Sequence, residues 1–258
     1  MMSCNENARA LRVSRMEERA TDLSSSDRSA VSTVVSCRSV SKVYRQGEVA
    51  VYALSNVDFD IAAGEFTSLC GPSGSGKTTL LNLIGGLDSP SGGEICVCGK
   101  RFDLLSSAEL SRVRLNRLGF VFQAYNLIPV LSAQENVEFV MQLQGVAPKQ
   151  RSERARKVLS AVGLSGMENR RPAELSGGQQ QRVAVARAIA NEPEIVLADE
   201  PTANLDSKTA ESLIELMLDL NQRLGMTFLF STHDQLVMDY ARRLVRLKDG
   251  QIESDQLR

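Results

Sequence analysis

The chain has a single histidine and no tryptophan among its 258 residues. No apolar run approaches the roughly 18 residues that a membrane-crossing helix needs, so the expectation is a chain that does not span a membrane by itself. An excess of either charge is also missing. Thirty Lys and Arg stand against 31 Asp and Glu, a formal net charge of −1, so there is no overall basic field to hold nucleic acid. Cysteine is scarce: five residues, an odd number without small-domain spacing, point to a reducing compartment rather than a disulfide framework. Cys96 and Cys98 fall on one face of a predicted strand. A lone C-x-C with no further Cys or His ligand reads as core or surface thiols rather than a metal site.

What is present suffices for a large core, since 43% of residues are hydrophobic and 24% charged. The first 35 residues balance five Arg (Arg9, Arg12, Arg15, Arg19, Arg28) against five acids (Glu6, Glu17, Glu18, Asp22, Asp27). That balance argues against a transit peptide or polybasic anchor, and no apolar stretch there makes a signal peptide. Residues 1–33 are therefore expected to be a disordered extension, with residues 34–258 forming the folded domain.

The chain is organised around Gly71-Pro72-Ser73-Gly74-Ser75-Gly76-Lys77-Thr78, a complete G-x-x-x-x-G-K-[ST] phosphate loop. Phe66-Thr67-Ser68-Leu69-Cys70 before it reads as a buried strand, and Thr79-Leu80-Leu81 after it as the opening of a helix. Glycines let backbone N–H groups curl around a polyanion, and the helix N-terminus adds partial positive charge. Lys77 reaches outer phosphates, while the Thr78 hydroxyl is placed to join a magnesium shell.

Ahead of the loop, short β-patterned runs (Val40, Val43, Tyr44; Val51, Val57, Phe59, Ile61) predict an antiparallel sheet. Tyr44 is either a half-buried sheet aromatic or a ring that stacks on adenine. Beyond the loop, Gly119-Phe120-Val121-Phe122 is a buried strand ending at Gln123, whose amide either sits beside a metal or caps the loop. Residues 123–172 then become helical, opened by the capping box Ser132-Ala133-Gln134-Glu135. This reads as a helical insertion, about 123–172, continuing to about 190. Leu175-Ser176-Gly177-Gly178-Gln179 leads into a helix, with Ser176 suited to the N-cap and the glycines leaving N–H groups bare as a second anion site. Ile195-Val196-Leu197-Ala198 is a short strand delivering Asp199 and Glu200 to the sheet edge where ligands sit. Asp199 suits a water-mediated magnesium contact and Glu200 an attacking water. Asp206 precedes a helix over 207–224, and a last core strand delivers His233, placed to hydrogen-bond a terminal phosphate and the water-activating carboxylate.

In this order the motifs resemble one family, the ATP-binding subunits of ATP-binding cassette (ABC) transporters, over about residues 36–254. The resemblance implies an α/β fold: a P-loop NTPase core with an antiparallel β-subdomain and an α-helical subdomain. It implies that ATP is bound with Mg2+, that Lys77, Glu200 and His233 serve hydrolysis, and that Thr78, Gln123 and Asp199 hold the metal. Tyr44, residues 71–78, Thr79 and Gln123 would contact nucleotide in one copy. Ser176, Gly177, Gly178 and Asp206 would close on it from a second copy in a head-to-tail homodimer.

A narrower likeness lies in Gly85-Gly86-Leu87-Asp88, Asn126-Leu127-Ile128-Pro129, Glu135-Asn136-Val137 and Arg171-Pro172-Ala173-Glu174. These are similar to the branch of lipoprotein-release (LolD) and macrolide-efflux (MacB) ATPases. That branch implies a few-span permease with a large extracytoplasmic domain, a place on the cytoplasmic face of the inner membrane, and export or extraction of a lipoprotein-like or hydrophobic substrate. The long N-terminal extension and the lack of a fused permease depart from the branch pattern. The alternative is a role resembling the cell-division ATPase FtsE, which regulates envelope machinery without transport.

Overall fold

The computed structural model describes residues 32–47 and 49–258; the extension expected over 1–33 lies outside them save for its last two residues. Two long strands open the described chain, β1 (Thr33–Gln46) and β2 (Val49–Ala62), paired antiparallel. They are longer than the short runs in the sequence suggest. Register shifts between Cys37 and Val40, where Ser39 has a positive φ of 49°, break the alternation without breaking the pairing. Then follow β3 (Phe66–Cys70), the phosphate loop and α1 (Lys77–Ile84). Next come β4 (Gly92–Val97), the two-residue β5 (Lys100–Arg101), α2 (Ser107–Arg117) and β6 (Leu118–Phe122).

The helical stretch holds α3 (Ala133–Leu143) and α4 (Pro148–Ala161), and α5 (Gly177–Ile189) starts at the signature segment. After β7 (Ile195–Asp199) come α6 (Ser207–Leu224), β8 (Thr227–Ser231), α7 (Gln235–Tyr240), β9 (Arg243–Lys248) and β10 (Gln251–Leu257).

The strands make two sheets. One is antiparallel, in the order β2-β1-β4-β5; the other runs β10-β9-β3-β8-β7-β6 and is parallel apart from β10. β3 and β8 are buried at every residue, and β7 at all but Asp199, because both faces of the six-stranded sheet are covered. On one face, Leu69, Leu197, Leu229 and Val245 pack with α1 and with Leu54, Phe59 and Ile61 of β2. On the other, Phe66, Phe228, Phe230 and Val196 meet Val183, Val185, Ile214 and Met217 of α5 and α6, joined by Val137 and Leu159 of the helical arm. Phe66 lies between Phe228 and Phe230, with ring centroids 5.6 and 4.7 Å away, in tilted contacts that favour aromatic pairs.

The parallel strands share one direction, so β3, β6, β7 and β8 end on the same edge of the sheet. That edge carries the candidate site.

Candidate active site

The phosphate loop leaves β3 under tight steric constraint. Gly71 has φ 144°, and a Cβ on it would lie 2.1 Å from the carbonyl oxygen of Leu247; one on Gly76, φ 102°, would lie 2.6 Å from that of Ala53. Neither position admits a side chain, which is the physical content of the motif. Lys77 is buried and its Nζ donates to the carbonyls of Gly71 (2.8 Å) and Pro72 (3.0 Å), so the ammonium lies across the mouth of the loop. α1 begins at Lys77, and its first N–H groups lack intrahelical acceptors.

The ends of β7 and β8 close the other side. The Thr78 hydroxyl donates to Asp199 Oδ1 at 3.2 Å, linking loop and strand across 121 positions of sequence. Two oxygen donors side by side on an open face suit a hard cation that keeps most of its waters, so this pair fits Mg2+. Glu200 has a left-handed φ of 46°, and its N–H donates to the carbonyl of Ser231 (2.9 Å). Its Oε1 lies 2.7 Å from His233 Nδ1, and its Oε2 accepts from the Thr232 hydroxyl (3.0 Å). The carboxylate is largely enclosed, its side chain 17% exposed, whereas His233 is 72% exposed.

A cavity of about 740 Å³ joins the phosphate loop to Glu200 and His233; residues 72–79, Gln123, Glu200 and His233 line it, with Val51, Tyr52 and Ala53 of β2 as a wall, while Asp199 is not among its lining residues. The size is that of a small-molecule cleft. Tyr44 does not line it. Its hydroxyl donates to Asp88 Oδ2 (2.9 Å), and its ring lies 4.8 Å from Lys42 Nζ; burial and the Asp88 carboxylate push its pKa up. Tyr52, absent from the sequence reading, is the aromatic on the wall. Nothing in a β-patterned run distinguishes it from Tyr44, and the pairings Val43 with Tyr52 and Tyr44 with Val51 put the two at one end of the same ribbon.

Gln123 follows β6, where its carbonyl accepts from Asn204 Nδ2 at 2.9 Å. Arg187 of α5 donates to the carbonyls of Tyr125 (2.9 Å) and Asn126, and buried Gln181 donates to those of Phe122 (3.2 Å) and Pro201 (2.7 Å). The segment after β6 is thereby tied to both the signature helix and the turn after Glu200.

Ser176, Gly177, Gly178 and Asp206 stand elsewhere, and none of them lines the cavity. Ser176 caps α5, accepting from Gln179 N–H (3.3 Å) while Gln179 accepts from Ser176 N–H (2.9 Å). A Cβ on Gly178 would fall 2.3 Å from Thr209 Cγ2, so α5 begins hard against α6. Asp206 caps α6, and the Thr209 hydroxyl (2.6 Å) and amide (3.0 Å) hold its carboxyl below the usual carboxylate range.

A family model described as ABC transporter matches residues 54–203, more than half of the chain. The chain belongs to the ABC transporter family. An uncharacterised ABC transporter ATP-binding protein of Methanocaldococcus jannaschii, MJ0796, is 44% identical over 227 residues, covering 86% of this chain and 97% of that protein. The lipoprotein-releasing system ATP-binding protein LolD of Idiomarina loihiensis is 43% identical, covering 85% and 96%. The macrolide export ATP-binding/permease protein MacB of Marinobacter nauticus is 44% identical over 86% of this chain, which spans 34% of that longer protein. A dimeric structure of MJ0796 in a post-hydrolysis state, bound to ADP and Pi, has a TM-score of 0.80 at 45% identity, covering 86% of this chain and 98% of that one. This ABC protein is an ATP-binding subunit of the LolD/MacB branch and an ATP hydrolase.

Proposed function

We propose that this ABC ATPase, as a head-to-tail homodimer, drives a separate few-span membrane permease with a large extracytoplasmic domain. Its work is export or extraction of a lipoprotein-like or hydrophobic substrate. The observation that carries the reading is the separation of two anion-binding elements. The phosphate loop lies in the cavity with Glu200 and His233, while the glycine amides that open α5 lie outside it, which supports a second copy that brings the two together.

In this reading Lys77 and the amides of residues 72–79 hold the phosphates of ATP. The adenine lies against the β1–β2 ribbon, with Tyr44 as the stacking face and Tyr52 as the neighbouring wall. Thr78, Asp199 and Gln123 hold Mg2+, which when bound neutralises charge on the outer phosphate oxygens. Glu200 Oε2 or Oε1 accepts the proton of an attacking water, and His233 steadies that carboxylate and faces the terminal phosphate. Ser176, Gly177 and Gly178 of a second copy cover the same phosphates, and Asp206 bridges the two sites. The connections from residues 122–126 to Arg187, Gln181 and Asn204 support a route by which nucleotide state reaches the helical arm and a permease docked on it. The protein would sit on the cytoplasmic face of the inner membrane, held there by that permease; among the described residues no helix is long and apolar enough to cross a membrane.

The test is co-purification. Tagged Glu200→Gln chain is recovered with ATP from detergent-solubilised native membranes and its stoichiometric companions are identified by mass spectrometry. A few-span permease with a large outer domain is the expected companion; soluble partners alone would overturn the transport reading.

A further inference from the structure

Three consecutive residues at the end of β8 grip Glu200. The Ser231 carbonyl takes its N–H, the Thr232 hydroxyl reaches Oε2, and His233 Nδ1 lies against Oε1. Thr232 differs from His233 in burial: it is 0% exposed, while the imidazole is mostly in the open. Its main-chain N–H donates to the carbonyl of Leu69 at 3.0 Å, anchoring it to the strand that launches the phosphate loop.

The direction of the Thr232 hydroxyl bond follows from counting. A hydroxyl has one proton to give. The Glu200 carboxylate can only accept, and the Asp234 N–H donates to Thr232 Oγ1 at 3.0 Å, so the hydroxyl proton goes to Glu200 Oε2. Asp234 is itself fixed, accepting from the Leu236 N–H (3.0 Å) and the Thr202 hydroxyl (2.7 Å). Thr202 lies two residues beyond Glu200, so a closed circuit runs from Glu200 through Thr232 and Asp234 to Thr202 and back along the chain.

We infer that Thr232 is a positioning residue for ATP hydrolysis: its buried hydroxyl orients the Glu200 carboxylate toward the attacking water, independently of the exposed imidazole. The inference rests on the reading of Glu200 as the group that activates water. Loss of the hydroxyl frees the carboxylate to turn, and a misplaced reacting group costs up to about a hundredfold in rate.

Steady-state ATPase kinetics of the full chain test it. Thr232→Val lowers kcat by about ten- to a hundredfold with KM for ATP and nucleotide affinity within about twofold, and Thr232→Ser, which keeps the donor, restores kcat to within about threefold. Thr232→Ala removes the donor without added bulk and replaces the valine variant if that does not fold. In a Glu200→Gln background, Thr232→Val causes no further loss, because the two act on one step. An unchanged kcat in Thr232→Val alongside an inactive Glu200→Gln overturns the inference alone. So does a loss of kcat that comes with weaker ATP binding and is not rescued by serine. Normal turnover by Glu200→Gln instead removes the assigned role of Glu200.

Discussion

At the scale of single residues, the groups that were legible sit next to unmistakable local signals. Lys77 and Thr78 close a glycine-rich motif, and Asp199 and Glu200 end a short apolar strand. Lys77 carries the clearest prediction. Its ammonium is buried and its hydrogen bonds go to main-chain carbonyls of the loop it crosses, so it is positioned as a point charge for phosphate. Lys77→Ala is expected to weaken ATP binding by about ten- to a hundredfold, the worth of one charge-assisted hydrogen bond of roughly 1.5–3 kcal/mol. A fluorescence titration with a nucleotide analogue measures it, and unchanged affinity would contradict the phosphate-loop reading. Thr232 and Tyr52 were not legible. A threonine before the sole histidine and a tyrosine in a β-run acquire meaning only from what another strand brings beside them.

At the scale of elements, boundaries were readable where caps announce them. α6 runs over Ser207–Leu224 between its N-cap Asp206 and the left-handed Gly225, φ 64°, as the sequence leads one to expect. The short α2 and α7 had no such visibility; α2 fully buries none of its residues and meets the core only through the half-buried Leu110 and Val113, despite a capping box at Ser106 and Glu109. The packing of β6 on α5 was equally hidden. Gly119 lies so close to the end of α5 that a Cβ would fall 2.4 Å from the Ala188 carbonyl oxygen and 3.2 Å from Pro193. Main chain blocks the space, so Gly119→Ala is expected to destabilise the fold by about 1–3 kcal/mol, the usual cost of overpacking. Denaturant unfolding would register this as a lower midpoint at unchanged slope, and a midpoint equal to that of the parent would show that β6 and α5 can part without cost.

At the scale of the whole molecule, the six-stranded sheet puts the candidate catalytic groups on one edge, while the glycine-rich opening of α5 lies outside their cavity. Dimer formation should therefore depend on nucleotide and on the signature segment together. Glu200→Gln with ATP is expected to sediment as a dimer in analytical ultracentrifugation, and adding Ser176→Arg, which crowds the exposed opening of α5, should return it to monomer with ATP binding intact. Dimerisation of the double variant would argue against a head-to-tail arrangement.

The sequence by itself determined the kind of chemistry, because a phosphate loop is local: one strand, eight residues and one helix N-terminus contain its steric and electrostatic logic. It also marked residues 66–70, 195–198 and 227–230 as buried strands, since short, mainly apolar runs bounded by turn signals say so without reference to neighbours. Tertiary structure alone decided which strand ends meet. Thr78 reaches Asp199 and Glu200 reaches Thr232 and His233 because β7 and β8 lie side by side with β8 next to β3, an order that differs from chain order. Parallel strands are joined by long crossovers, so their neighbours are chosen by the packing of helices on both faces of the sheet and not by the residues between them.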